Sequence, residues 1–156
     1  MLDFTGLYKV LYVVDGDGFK ASHIISNEII EFRLYGIDAP EIKMCKKLLR
    51  DEKESHLPGE LIMHLGNISA SYLKSLVLPG TCITIKQETQ NRADKYGRQL
   101  CYCLLPDGSI VNERIVQEGY AKAYSEYPCK ELAKYQLLNT LAIQNKLGLY
   151  SLVDRF

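Results

Sequence analysis

Three strand-like runs, parted only by tight turns, occupy residues 8–35 and constrain this fold more than any other feature. Residues 8–14 (YKVLYVV) are rich in β-branched and aromatic side chains, which suit a pleated, half-buried surface. Asp15-Gly16-Asp17-Gly18 supplies turn residues, and residues 19–25 continue as a second strand. Ser26-Asn27 turns the chain again before a third run at residues 29–35. Turns this short pair neighbouring strands antiparallel, and such a meander curls into a small barrel.

The remainder of the chain decides what covers that barrel. Lys43, Lys46, Lys47, Arg50 and Lys53 form a basic cluster before His56-Leu57-Pro58-Gly59 breaks the segment. Residues 43–64 read as a loop in preference to a short helix. Asn67 is expected as the N-cap of a helix through Val77, with Ile68, Tyr72, Leu73 and Leu76 on one face and Pro79-Gly80 ending it. Residues 81–86 alternate as a fourth strand, and residues 99–105 form a fifth before the turn Pro106-Asp107-Gly108. A two-turn helix at residues 111–118 is closed by Gly119. A longer helix at 129–146 takes Leu132, Tyr135, Leu138 or Asn139, Ala142 and Leu147 as its apolar side, with Gly148 following. The order β-β-β-α-β-β-α-α predicts an α+β fold: a five-stranded barrel of the oligonucleotide-binding (OB) type with three helices. At 156 residues, one domain is expected to span the whole chain, with a core at about residues 6–152.

Charge and cysteine content narrow the function classes. Nineteen basic and nineteen acidic residues cancel, which argues against a protein that coats nucleic acid by bulk charge; any such contact must be a local patch. No apolar run approaches the roughly 20 residues of a membrane span. No secretory signal is visible at Met1-Leu2-Asp3-Phe4, so a cytoplasmic location is expected for the form given, or secretion if a leader has been removed. The five cysteines include no Cys-x-x-Cys pair, and His23, His56 and His64 show no metal-ligand spacing with them, which argues against a zinc site. Cys101 and Cys103 fall on one face of a strand and read as buried thiols, in keeping with a reducing compartment.

The chemistry concentrates in Phe32-Arg33-Leu34-Tyr35-Gly36-Ile37-Asp38-Ala39-Pro40-Glu41. One fixed guanidinium, whose planar fork suits phosphate oxygens, lies close to two carboxylates that repel unless a cation or proton sits between them. Alone, Asp38-Ala39-Pro40-Glu41 equally resembles a helix capping box. Asp15-Gly16-Asp17-Gly18 fails as a calcium-binding EF-hand loop, because Phe19 and Ser26 stand at its fifth and twelfth positions, and it otherwise reads as a hairpin turn. Asp94-Lys95-Tyr96-Gly97-Arg98 by itself is a polar loop turning at Gly97.

Taken together, and in this order, Val14-Asp15-Gly16-Asp17, the run from Phe32 to Glu41, and Asp94-Lys95-Tyr96-Gly97-Arg98 resemble the staphylococcal (thermonuclease) nuclease family. Val111-Asn112-Glu113, Gln117-Glu118-Gly119-Tyr120-Ala121-Lys122 and Gly148-Leu149-Tyr150 are similar to that family's later segments, so the likeness covers nearly the whole chain. The resemblance implies a calcium-dependent phosphodiesterase acting on single-stranded or frayed DNA and RNA and leaving 3′-phosphate ends. It implies that Asp17 and Asp38 bind calcium with the backbone carbonyl of Ala39, and that Glu41 holds and deprotonates the attacking water. It assigns Arg33 and Arg98 to the scissile phosphate and Lys95 and Tyr96 to a terminal phosphate. Tyr124 and Tyr127 correspond to tyrosines lining the sugar and base pocket. No membrane association and a monomer are expected.

The chain departs from that pattern at Gly18 and Ala39, where the family often has Thr. It also departs in a longer 43–64 segment, which either extends the nucleic-acid groove or is a solvated loop, and in its neutral net charge. The chemistry is coherent without the resemblance. A divalent cation on hard oxygens neutralises charge on an anionic phosphodiester, arginines hold its oxygens, and a carboxylate acts as base. The alternative is a non-catalytic OB-fold module that binds nucleic acid or a protein partner. Such a module would be expected to lose acidic or arginine positions, yet Asp17, Arg33, Asp38, Glu41 and Arg98 are all present.

Overall fold

A strand long enough to serve two neighbours closes the barrel. In the computed structural model, which describes residues 4–156, β1 (Phe4–Asp15) pairs antiparallel with β2 (Gly18–His23) and, through its first half, with a later strand. β3 (Ile29–Leu34) completes the meander. There follow β4 (Ile37–Asp38), α1 (Lys46–Ser55), α2 (Gly59–Leu76), β5 (Cys82–Gln87) and β6 (Gln99–Leu104). The chain ends with α3 (Val111–Gln117), β7 (Lys122–Ala123), α4 (Leu132–Gln144) and a 3₁₀ turn at Gly148–Ser151. Five strands close in the order β1-β2-β3-β6-β5, and the β3–β6 pair is parallel. The α+β fold on a five-stranded OB-type barrel is therefore as expected. Register shifts between Val10 and Tyr12 and between Val13 and Asp15 bend β1, because an unpaired extra residue raises the local twist.

Inward residues alternate as a pleated sheet requires. Val10, Phe19, Ala21, Phe32, Leu34, Ile83, Ile85, Cys101 and Cys103 fill the barrel, and Leu73, Val77, Val111, Ile115 and Val116 from the helices close over it. Asn112 of α3 satisfies its amide within this core. Its Nδ2 donates to the carbonyls of Tyr35 (3.2 Å) and Cys101 (3.0 Å), and its Oδ1 accepts from the Cys103 amide at 3.1 Å. The residue just past β3 is thereby fixed against β6.

Four α-helices form rather than three, and the reading of residues 43–64 as a loop is overturned. Cys45 caps α1 with its sulfur, which accepts from the Leu48 amide at 3.4 Å. His56, in the left-handed conformation, ends that helix, and α2 starts three residues later behind Pro58. The Glu52 carboxylate takes the Gly59 amide at 2.6 Å, so the His-Leu-Pro-Gly break is a corner between two helices. Asn67 is consequently no N-cap. It lies inside α2 and donates to the Met63 carbonyl one turn back. The face of α2 that reaches the core is Ile62, Leu65, Ser69 and Leu73, while Ile68, Tyr72 and Leu76 are half-buried on its flank. α4 begins at Leu132 and ends at Gln144; Tyr135 and Ala142 are buried as expected, but Leu147 lies past the helix and is exposed.

α2 also forms a shelf for the loop after β4. A Cβ placed on Gly66 would stand 2.5 Å from the Glu41 carbonyl oxygen and 2.7 Å from that of Pro40. Only glycine allows the helix so close to that backbone.

Candidate active site

Strand register brings the first site residues together. Gly18 pairs with Arg33 across β2 and β3, and the Leu34 amide donates to the Asp17 carbonyl at 2.9 Å. From that position the Arg33 guanidinium spans two carboxylates. Its Nη1 lies 3.2 Å from Asp17 Oδ1, and its Nη2 lies 3.1 Å from Asp38 Oδ1 and 3.4 Å from the Ile37 carbonyl oxygen. The second oxygen of Asp17 accepts the Ala39 amide at 2.9 Å. Asp38 is positioned by the short β4–β7 ladder, where it faces Lys122. Asp17, Arg33 and Asp38 are 3%, 6% and 2% exposed, so this is a buried ion cluster whose charges compensate one another.

Gly18 has a specific use in this turn. A Cβ there would meet Asp15 Oδ1 at 3.0 Å and the Phe32 carbonyl at 3.2 Å. The bare backbone makes room for Asp15, whose Oδ1 accepts the Asp17 amide at 3.3 Å. Burial, and next the charge of Asp17, push the Asp15 carboxyl up to about 8. Burial acts in the same direction on Asp17, but Arg33, the Ala39 amide and Asp15 outweigh it and hold Asp17 below its usual range. Asp15 therefore carries the proton of this pair and Asp17 the charge. Asp38 is raised: burial prevails over the opposing effect of Lys47.

Lys47, on the first turn of α1, enters the same cluster. Its Nζ lies 3.1 Å from Asp38 Oδ2, 3.4 Å from Glu41 Oε1 and 2.7 Å from Asp51 Oδ2. Burial alone would lower this ammonium, but Asp38, Asp51 and Glu41 together hold it well above an ordinary lysine. Sequence reasoning counted Lys47 in a basic cluster and gave it no role at the centre. The available signal was its i,i+4 spacing to Asp51.

The other predicted residues line a cleft above this floor. The cleft has a volume of about 860 Å³ and is walled by Arg33, Glu41, Lys95, Tyr96, Arg98, Tyr124 and Tyr127, with Lys43, Lys46 and Arg50 from the α1 side. Asp17, Asp38 and Ala39 lie behind this wall, buried beneath Arg33. Asp94 organises the 94–98 loop, a role the sequence pattern did not reveal. Its Oδ1 accepts the amides of Tyr96 and Arg98 at 2.9 Å each, and its Oδ2 takes Arg98 Nε at 2.7 Å. Among the described residues Arg98 spends only Nε in this way, so its terminal amino groups remain for an anion. Tyr96 is 73% exposed, with Lys95 Nζ 5.3 Å and the Arg98 guanidinium 5.6 Å from its ring centroid. Tyr127 has the Arg33 guanidinium 6.0 Å from its ring centroid. The Tyr124 hydroxyl donates to Glu126, and Glu126 reaches back to Lys95 at 3.6 Å, so the two rim loops touch.

Whether these residues suit a divalent cation is a question of donor chemistry. Asp17, Asp38 and Glu41 offer carboxylates and Ala39 a carbonyl, all hard oxygens of the kind calcium prefers. The donors fit, although Arg33 and Lys47 now share their oxygens, and among the described residues no three His, Cys, Asp or Glu side chains converge by themselves.

A family model described as "Staphylococcal nuclease homologue" matches residues 31–152. The chain is 32% identical over 146 residues to an uncharacterized endonuclease of Escherichia coli O157:H7, covering 94% of this chain and 78% of that protein. It is also 32% identical over 124 residues to endonuclease YhcR of Bacillus subtilis, covering 80% of this chain but only 9% of that much longer relative. An uncharacterized protein of Methanocaldococcus jannaschii, MJ1439, is 25% identical over 150 residues, covering 92% of this chain and 70% of the relative.

Proposed function

Given that this chain belongs to the staphylococcal nuclease homologue family, we propose that it hydrolyses phosphodiester bonds in DNA and RNA with calcium as cofactor. The observation that carries the reading is the convergence of Arg33, Glu41 and Arg98 on one open cleft above the buried Asp17 and Asp38. The endonuclease names of two relatives support the same chemistry.

Arg98 holds a non-bridging phosphate oxygen through its terminal amino groups while Asp94 fixes its Nε, so little freedom is lost on binding. Arg33 adds positive charge from beneath, already anchored by two carboxylates. Glu41 accepts a proton from water as the water oxygen bonds to phosphorus. The phosphorus–5′-oxygen bond breaks, the leaving oxygen takes a proton from solvent water as Glu41 returns its proton to solvent, and a 3′-phosphate remains. Asp17, Asp38 and the Ala39 carbonyl would hold calcium, which when bound would supply charge neutralisation to the anionic centre. Tyr124, Tyr127 and the exposed Tyr96 offer faces on which unpaired bases stack, which favours single strands.

The test is degradation of single-stranded DNA with calcium or with a chelator, using the wild type, Glu41→Gln and Arg98→Ala. Calcium-dependent cleavage that drops at least roughly 100-fold in both variants is expected. Binding without cleavage would overturn the enzymatic reading and leave a nucleic-acid-binding module.

A further inference from the structure

We infer that Lys47 sets how tightly the carboxylate cluster takes a divalent ion, because its ammonium and that ion exclude one another on Asp38. The inference rests on the metal-dependent reading of the site given above. Every inner carboxylate oxygen has a partner. Asp17 Oδ1 and Asp38 Oδ1 face Arg33, Asp17 Oδ2 faces the Ala39 amide, and Asp38 Oδ2 faces Lys47. A hard divalent ion binding these oxygens at roughly 2.4 Å must share them with a cationic side chain or displace one. Two cations on one buried oxygen repel strongly, since little water screens them.

The two cationic side chains differ in how readily they can leave. Arg33 is buried and makes three hydrogen bonds, to Asp17, Asp38 and the Ile37 carbonyl, so its departure would strand a buried charge. Lys47 has a flexible stem and is less buried, and its shortest contact, 2.7 Å, is to Asp51 one turn along the same helix. When Lys47 releases Asp38 and Glu41, Asp51 keeps it paired. Asp51 is thus a resting partner, and the chain holds two arrangements of one cation. In the first, the ammonium bridges the cluster; in the second, it stays with Asp51, the second oxygen of Asp38 is open to a metal and Glu41 is free to hold water. The apparent affinity for the ion is reduced by the small population of the second arrangement. α1, the helix between Glu41 and α2, thereby carries a built-in competitor for the metal.

Calcium titration calorimetry on the full chain without nucleic acid tests this, comparing the wild type with Lys47→Met, Lys47→Gln and Asp51→Asn. Thermal melts in chelator and in calcium accompany each titration. Lys47→Met should bind calcium roughly tenfold more tightly. It should melt lower than the wild type in chelator, where Asp38, Glu41 and Asp51 each lose one cationic partner, and gain more from calcium. Lys47→Gln, which keeps a hydrogen-bond donor, should move the same way and serves if Lys47→Met does not fold. Asp51→Asn should weaken calcium binding, the opposite direction, because it removes the resting partner. A lower melt in chelator with unchanged or weaker calcium affinity in both Lys47 variants would make Lys47 a structural ion pair. That result overturns the inference while leaving the metal-dependent reading intact. No calcium heat from any of the four proteins would overturn both.

Discussion

The floor of the cleft and its rim are both built on an arginine paired with aspartate, and they are built differently. On the floor Arg33 is committed at both terminal nitrogens to buried carboxylates. On the rim Arg98 is held at Nε by a single aspartate, on a loop whose exposed tyrosine, Tyr96, stands in solvent. The floor is part of the folded core and its charges are compensated before any substrate arrives. On the rim the terminal nitrogens of Arg98 stay unspent, so in the proposed reading they serve the substrate and not the fold. Loss of a floor residue should therefore cost chiefly stability, and loss of a rim residue chiefly activity.

The largest separation is expected from the two arginines. Arg33→Ala leaves Asp17 buried without its cation and Asp38 with Lys47 alone, and should lower stability by about 3–5 kcal/mol in urea unfolding. Arg98→Ala leaves the buried Asp94 with the amides of residues 96 and 98 as partners, and should cost less, about 1–2 kcal/mol by the same measurement. Its turnover of single-stranded DNA should nonetheless fall roughly 100- to 1,000-fold. Equal stability losses in the two variants would break the distinction between floor and rim.

Gly66→Ala examines how far the floor reaches into the helices. The added methyl meets the carbonyls of Pro40 and Glu41, so α2 and the site loop must separate. A loss of about 1–3 kcal/mol, with cleavage falling in parallel, is expected from unfolding curves and initial rates. Full activity with reduced stability would detach Glu41 placement from α2.

Asp15 gives the floor a pH signature. Its carboxyl, raised toward 8 by burial and by Asp17, binds a proton in the native state that the unfolded chain has already lost at neutral pH. The stability contributed by that proton is full below about pH 4 and is lost as pH rises toward 8. Asp15→Asn should flatten this decline in thermal melts taken in chelator; an unchanged slope would show that Asp15 titrates normally.

The smallest effect on the fold belongs to the rim. Tyr96→Ala should leave the melting temperature within about 1 °C, because little of its ring is buried. It should raise the KM for single-stranded DNA several-fold with kcat preserved, in line with the roughly 1–3 kcal/mol of base stacking on an aromatic ring. A large change in melting temperature would move Tyr96 from the rim to the core.

The strands of the barrel and their turns were legible in the chain because their signals are local: β-branched and aromatic residues at 8–14, turn residues at 15–18 and 26–27, and alternation at 81–86. The helical corner at residues 56–59 was not. His56, Pro58 and Gly59 look like loop residues, and only the capping sulfur of Cys45, the Glu52 carboxylate on the Gly59 amide and the burial of Leu48 make two helices there. The site shows the same division. Arg33, Asp38 and Glu41 stand within nine positions and announced themselves, whereas Lys47 was one basic residue among five until α1 folded it onto Asp38.

The sequence by itself determined which chemical groups this protein owns and the strand pattern that carries them. The tertiary structure alone decided which group faces which. The β2–β3 register set Arg33 between two carboxylates, Gly66 let α2 support Glu41, and a helix read as loop delivered Lys47 to the same cluster. Pairings of that kind depend on angstrom distances between segments far apart in the chain. Coulomb attraction and desolvation act on those distances, and no local sequence pattern encodes them.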